Sequence, residues 1–182
     1  AADTTTPINT VALCRDDTLL AETIVDCRRL HSERLLATVD WVLAEADLQL
    51  GQVDLLAVSI GPGSFTGLRI GAATWKGLAL GCGLPLIGVP TLDAMTRFGA
   101  YENALACPLI DARMSEVFTA IYRFQNGGRT KLEPDRVCAV EDALDMAAAF
   151  LAEEPAPLWL YGDGAHVYRE RILAKMPDAR IA

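Results

Sequence analysis

The sequence predicts an α/β protein built from two units of like design, each a mixed sheet flanked by helices. Three observations carry this reading. Short apolar, β-branched runs alternate with segments of helical period, as mixed architectures require. The order strand, aspartate, turn, strand, turn, strand begins at Asp3 and begins again at Asp111. The 182 residues are 52% hydrophobic and 22% charged, enough for one medium core or two small ones. An internal duplication explains the repeated order. So does the commonness of β-hairpins, because sequence identity between the halves is negligible.

Taken in order, "AADTTT" is the tail of a strand reaching a turn at Pro7, Ile8 and Asn9. "TVALCRDD" (10–17) and "TLLAETIVD" (18–26) form two strands meeting at an aspartate-rich turn. Over 32–48 the apolar residues Leu35, Leu36, Val39, Val42, Leu43 and Ala46 recur at three and four, which predicts an amphipathic helix. "VDLLAVSI" (53–60) is a buried strand ending at Gly61, Pro62 and Gly63. Ser64 then caps a helix running to residue 80.

The second unit opens with "CPLIDARMSEVFTAIYRF", a strand ending at Asp111, a tight turn and an alternating strand. "QNGG" closes a hairpin, since Asn-Gly tolerates positive φ. An extended "TKLEPDRVCAV", a helix over 141–153 and a strand in "PLWLYGDGA" follow. A helix over 165–176 comes next, and "ARIA" reads as entry into another strand. The expected division is 1–98 and 99–182. The chain opens without Met, so a preceding piece is expected, and both ends look clipped.

Charge and cysteines narrow the function classes. Sixteen Lys+Arg against 24 Asp+Glu leave a net charge of −8, which disfavours gripping a phosphate backbone. Five scattered cysteines with no C-x-x-C pair point to a reducing compartment, and away from a disulfide framework or cysteine zinc site. The apolar run 77–89 is too short for a bilayer and is interrupted by Gly and Pro.

The stretch "SIGPGSFTGLRIGAATWKGLAL" resembles a phosphate loop but fails each named motif. The sixth residue from Gly61 is Thr66, and Lys76 lies more than two helical turns further on, so there is no Walker loop. Gly67 comes one position late for a dinucleotide fingerprint. The small residues Gly67, Gly71, Ala72, Ala73 and Gly77 mark a helix that something approaches closely, because glycine in a helix costs about 1 kcal/mol against alanine. That something is either this protein's own sheet or a helix of a partner chain.

Catalytic groups are sparse. His31 and His166 lie far apart, and Ser59, Ser64 and Thr66 have no evident base. Asp3 and Asp111 would suit magnesium in a two-lobed phosphotransfer cleft, or serve as strand-end turn residues. Asp163 in "GDGA" marks either a ligand-admitting turn or a plain loop.

The stretch from "SIGPGSF" through "GVPTLDAM", with "DTTT", "IDARMSEVFTAIY" and "YGDGA", resembles the bacterial TsaB (YeaZ) family of tRNA N6-threonylcarbamoyladenosine (t6A) biosynthesis. The resemblance runs almost end to end. It implies a two-lobed, duplicated fold of the actin, Hsp70 and sugar-kinase (ribonuclease H-like) type. It implies a non-catalytic scaffold or activator, cytoplasmic, pairing with a TsaD-like catalytic subunit and a TsaE-like ATPase. A homodimer in isolation, tRNA contact only through the complex, and no membrane association also follow. No cofactor is tightly bound; ATP and magnesium enter through partners. The docking helices would be 32–48 and 64–80, with Leu35, Thr38, Val39, Val42, Gly67, Gly71, Thr74 and Trp75 at the contact. Asp3 and Asp111 stand as a residual nucleotide or magnesium site. Thr5 departs from the family's usual Ser, and the family's C-terminal helix is absent, leaving the first lobe without one cover. The rivals are a small-molecule kinase or ATPase of the same superfamily and, less favoured, a peptidase.

Overall fold

A computed structural model describes residues 1–26, 31–96 and 102–182, with the side chains of 31–33 outside the description. The chain forms two compact units, Ala1–Thr91 and Leu92–Ala182.

The first unit runs β1 (Ala2–Asp3), β2 (Ile8–Arg15), β3 (Thr18–Asp26), α1 (His31–Glu45), a 3₁₀ turn at Leu50–Gln52, β4 (Leu56–Ser59), α2 (Phe65–Cys82) and β5 (Leu86–Val89). Its sheet order is β3-β2-β1-β4-β5. The β1–β2 and β2–β3 pairs are antiparallel, and β1–β4 and β4–β5 are parallel. Asp16 takes φ +52° at the β2–β3 turn, a conformation aspartate tolerates better than most residues. Ser64 caps α2 by accepting from the Gly67 N–H at 3.3 Å. Gly83, at φ +67°, ends the helix and returns its N–H to Ala79 O. Leu35, Val39 and Val42 of α1 and Trp75 and Ala79 of α2 bury against Ala2, Val11, Leu56 and Val58 of the sheet. Each large side chain so buried stabilises the unit by roughly 1.5–3 kcal/mol before entropy is counted.

The second unit contains α3 (Thr91–Met95, of which Thr91 closes the first unit), β6 (Ala104–Arg113), β7 (Glu116–Gln125), β8 (Gly128–Ala139), α4 (Val140–Glu153), β9 (Leu158–Tyr161), α5 (Asp163–Val167), α6 (Arg169–Lys175) and β10 (Arg180–Ile181). Its sheet order is β10-β9-β6-β7-β8. Read from the other edge, this is the first sheet's order and sense: two antiparallel pairs, then two parallel ones. The repeated aspartate-strand order is therefore a duplication of topology.

Both faces of this sheet are covered. Leu105, Cys107 and Leu109 pack with Val140, Leu144, Ala147 and Ile172 of the helices. Ala106, Ile110, Ala120 and Tyr122 pack with Leu92 and Met95 of α3 on the other face. A polar cluster fastens α3 as well. The Tyr122 hydroxyl donates to Asp93 at 2.6 Å and Lys131 Nζ lies 3.0 Å from the same carboxylate, while Arg129 donates to Thr96. These contacts place α3 with the second unit from Leu92 on. The boundary expected after residue 98 lies outside the described residues.

One expectation needs correction in detail. The helix over 165–176 is broken at Tyr168, whose backbone leaves helical geometry (φ −103°, ψ 17°) while its hydroxyl donates to Asp111. The apolar run 77–89 contains the end of α2 and the whole of β5, divided by Gly83.

Candidate functional site

The glycine-rich stretch builds a close approach between α2 and β1. A Cβ on Gly67 would fall 1.8 Å from Thr4 O, and one on Gly71 would fall 2.5 Å from Thr4 Oγ1. Thr4 Oγ1 donates to Gly67 O at 2.7 Å, so strand end and helix are joined at this point. Gly67, Gly71, Trp75 and Ala79, spaced by four, form one buried row. The loop ahead of α2 is committed in the same way: Ser64 N donates to Thr5 O at 2.7 Å, and Gly63 backs onto Thr5.

This geometry corrects most of the expected docking list. Leu35, Val39, Val42, Gly67, Gly71 and Trp75 face the protein's own sheet and are buried. Helical period identifies an apolar face, and that face is the one the sheet consumes. Thr38 and Thr74 remain half-buried at the helix flanks, and Thr38 Oγ1 donates to Arg34 O at 2.9 Å.

The outward faces carry a different set. Leu36 is 51% exposed, Trp41 49% and Leu80 87%. Ala73, Lys76, Gly77 and Gly81 are exposed as well, and a Cβ at Gly77 or Gly81 would meet nothing within 4 Å. The two helices pack against each other on one side of the sheet, and Trp41 lies on the β3 side of α1, with Thr23 and Val25. On α2, an exposed leucine next to glycines that let a backbone come close suits a second helix-bearing surface.

The two aspartates sit at matching places, each at the end of its unit's first strand. Asp3 Oδ1 accepts from Thr5 N and Thr5 Oγ1, both at 2.6 Å, and Oδ2 accepts from Ser59 Oγ at 2.8 Å. Both its oxygens are engaged within the chain. Asp111 Oδ1 accepts from Tyr168 Oη at 2.8 Å and Arg113 N at 2.9 Å, with the Arg113 guanidinium 3.4 Å from Oδ2. Burial and then the Asp111 carboxylate push the Tyr168 phenol above its ordinary pKa, which keeps it a donor. Asp163 Oδ1 accepts from Asp111 N at 3.1 Å and Gly164 N at 2.9 Å. "GDGA" is thus another close approach: Cβ atoms on Gly162 and Gly164 would fall 2.4 and 2.9 Å from Leu109 O.

Ser59 and Tyr168 as partners of the aspartates were missed by sequence spacing. The signal for Ser59 lies in parallel pairing, since Ala2 opposite Val58 brings Ser59 beside Asp3. Among the described residues, no three His, Cys, Asp or Glu side chains stand together in a metal-ligating group. Among the same residues, no helix is long and apolar enough to cross a membrane.

Comparison with known proteins completes the description. Residues 25–178 match the model of the family described as TsaD, tRNA N6-adenosine threonylcarbamoyltransferase. The tRNA threonylcarbamoyladenosine biosynthesis protein TsaB of Bacillus subtilis is 31% identical over 172 residues, covering 94% of this chain and 73% of that one. Its Escherichia coli namesake is 42% identical over 130 residues, 70% of this chain and 56% of that one. A Pseudomonas aeruginosa crystal structure, described as an uncharacterized protein with similarity to peptidase YEAZ, superimposes with a TM-score of 0.79 at 30% identity over 100% of this chain and 81% of that one. The ethanolamine utilization protein EutJ of Carboxydothermus hydrogenoformans, at TM-score 0.52 and 13% identity over 99% of this chain and 82% of that one, shares the fold alone.

Proposed function

The chain belongs to the TsaB (YeaZ) family with its duplicated actin-like fold, and from this we propose that it serves t6A biosynthesis as a non-catalytic partner of a TsaD-like subunit. The observation that carries the proposal is the outer surface of α2, where Leu80 stands exposed on the same helix as the open Gly77 and Gly81, together with the exposed Leu36 and Trp41 of α1. This surface replaces the buried candidates as the docking face, flanked by Thr38 and Thr74. In isolation the same surface pairs two copies of the chain; in the assembled complex it meets the TsaD-like subunit, and a TsaE-like ATPase joins them. ATP and magnesium enter through those partners. With a net charge of −8, the chain meets tRNA only through the complex, in the cytoplasm.

The superfamily kinase reading meets obstacles at the aspartates. Magnesium at Asp3 must displace hydroxyl and amide donors on both oxygens, and at Asp111 it faces the Arg113 guanidinium.

Co-expression with a TsaD-like subunit tests the proposal. Leu80→Arg, and separately Trp41→Glu, should reduce capture of that subunit at least about tenfold, because a charge then lies in a desolvated contact. Thermal midpoints of the variants should stay unchanged, since both side chains are exposed. Loss of t6A from tRNA should accompany loss of capture in cells relying on the variant. Undiminished capture by both variants removes these helices from the interface.

A further inference from the structure

Three of the four strands that edge the two sheets are poor templates for further pairing. β10 has two residues, and β5 has four between Pro85 and Pro90. β8 is long, but it carries Pro134 with Arg129, Lys131, Glu133, Asp135 and Arg136, and its register against β7 shifts twice. Charges, proline and irregular register all guard a sheet edge. β3 is the exception. Its nine residues, TLLAETIVD, hold no Pro, Lys or Arg, and from Ala21 to Asp26 they pair with β2 in unbroken register. Among the described residues no strand pairs with its outer side. Alternate N–H and C=O groups of β3 therefore point outward along that edge.

Beside this edge α1 forms a ledge. Arg34, Ala37, Thr38 and Trp41, spaced by three and four, share one side of the helix. With Thr23 and Val25 they line an open groove of about 240 Å³. A strand added to β3 would lie about 4.7–4.9 Å outside it, and every second side chain would point toward the ledge. An aliphatic side chain there meets Val25 and the indole of Trp41. The other face of the added strand meets a different surface. Thr23 and Val25 point toward the helix, so Glu22 and Asp26 point away from it. Asp16 and Asp17 stand at the turn leading into β3, and these four acids outnumber Arg15 and Arg34 nearby. Basic side chains suit that face. A second copy of β3 fits less well. Antiparallel pairing centred on Glu22 sets that carboxylate against its own copy, and pairing centred on Ile24 sets Glu22 against Asp26.

We propose that the outer edge of β3 binds an extended segment of a partner protein in which aliphatic and basic residues alternate. The segment adds a strand to the first sheet, with an aliphatic side chain in the groove beside Trp41 and a basic one against Glu22. The edge is separate from Leu80 and the open glycines of α2, so the two surfaces are tested independently.

The probe is a short labelled peptide of alternating valine and lysine. Its controls are valine alternating with glutamate, and the lysine peptide's composition in scrambled order. Fluorescence anisotropy should show the alternating lysine peptide binding at least about tenfold tighter than either control. In the complex, amide exchange at alternate residues from Ala21 to Val25 should slow about tenfold. Glu22→Lys should weaken binding about tenfold or more at an unchanged thermal midpoint, since Glu22 is exposed. Thr23→Lys, which places a guarding charge in the groove, should do the same. Equal binding of the scrambled peptide, unslowed exchange in β3, or undiminished binding by Glu22→Lys overturns the proposal. So does β3 exchange that slows with protein concentration before any peptide is added, because a second copy then occupies the edge.

Discussion

A methyl group added at Gly67 would stand 1.8 Å from the Thr4 carbonyl oxygen, closer than any van der Waals contact, while one added at Gly77 would touch nothing within 4 Å. Both glycines lie on α2, so helix propensity treats them alike and packing separates them. Gly67→Ala should cost more than about 3 kcal/mol, because backbone rather than a flexible side chain must move. Gly77→Ala should gain about 0.5–1 kcal/mol. Denaturant titration of the two variants measures the contrast. The crowding of small residues was legible in the sequence, but the owner of the approaching backbone was not. Glycine records that something comes near without recording whose chain it is. Asp93 supplies a second residue-scale prediction. Burial raises its pKa, but the Tyr122 hydroxyl and Lys131 outweigh that and hold it below the ordinary carboxylate value. A carboxylate lowered on folding adds stability above its unfolded pKa, and that stability is lost as pH falls through the folded value. Thermal midpoints should therefore drop on acidification to about pH 3, and Asp93→Asn should flatten part of that drop.

At the scale of elements, turns show where local sequence and fold disagree. Asn126 and Gly127, both at positive φ, form the β7–β8 turn with the residues that such turns favour. The β6–β7 turn holds Arg113, Met114 and Ser115 at φ +71°, +53° and +65°, where L side chains are strained by roughly 1 kcal/mol each. Replacing Met114 with Asn and Ser115 with Gly should raise stability by about 1 kcal/mol, read as a shift in the urea midpoint at unchanged slope. Met114 is 93% exposed, so no packing is lost in the exchange. Long periodic elements such as α1, α2 and α4 were legible because burial imposes their period. β5 and α3 were not: four and five residues are too few to show one. The proposed docking face escaped for a related reason. Period marks the side of a helix that folding consumes, whereas Trp41 and Leu80 lie off it, and Leu36, though within the period, shows as exposed only when the sheet is in place.

At the scale of the molecule, the duplicated topology does not make the two units equally self-sufficient. The order of elements was legible as a repeat, because each unit starts strand, aspartate, hairpin. The distribution of core was not, because it depends on which sheet faces are covered. In the second unit, buried clusters lie on both faces of the sheet, and β6 is buried without interruption from Ala104 to Ile110. Among the described residues of the first unit, one cluster lies on the helix side. Stability grows with apolar area removed from water, at about 25 cal/mol per Å². A sheet covered on both faces removes more of it per residue than a sheet covered on one. The fragment Leu92–Ala182 should accordingly fold alone, with a cooperative thermal transition and dispersed amide resonances, while the fragment Ala1–Thr91 should melt lower or without cooperativity. Circular dichroism melts of the two fragments decide the matter. A second-unit fragment that melts without cooperativity, or a first-unit fragment that melts higher, would show that core distribution does not set the stability of this duplicated fold.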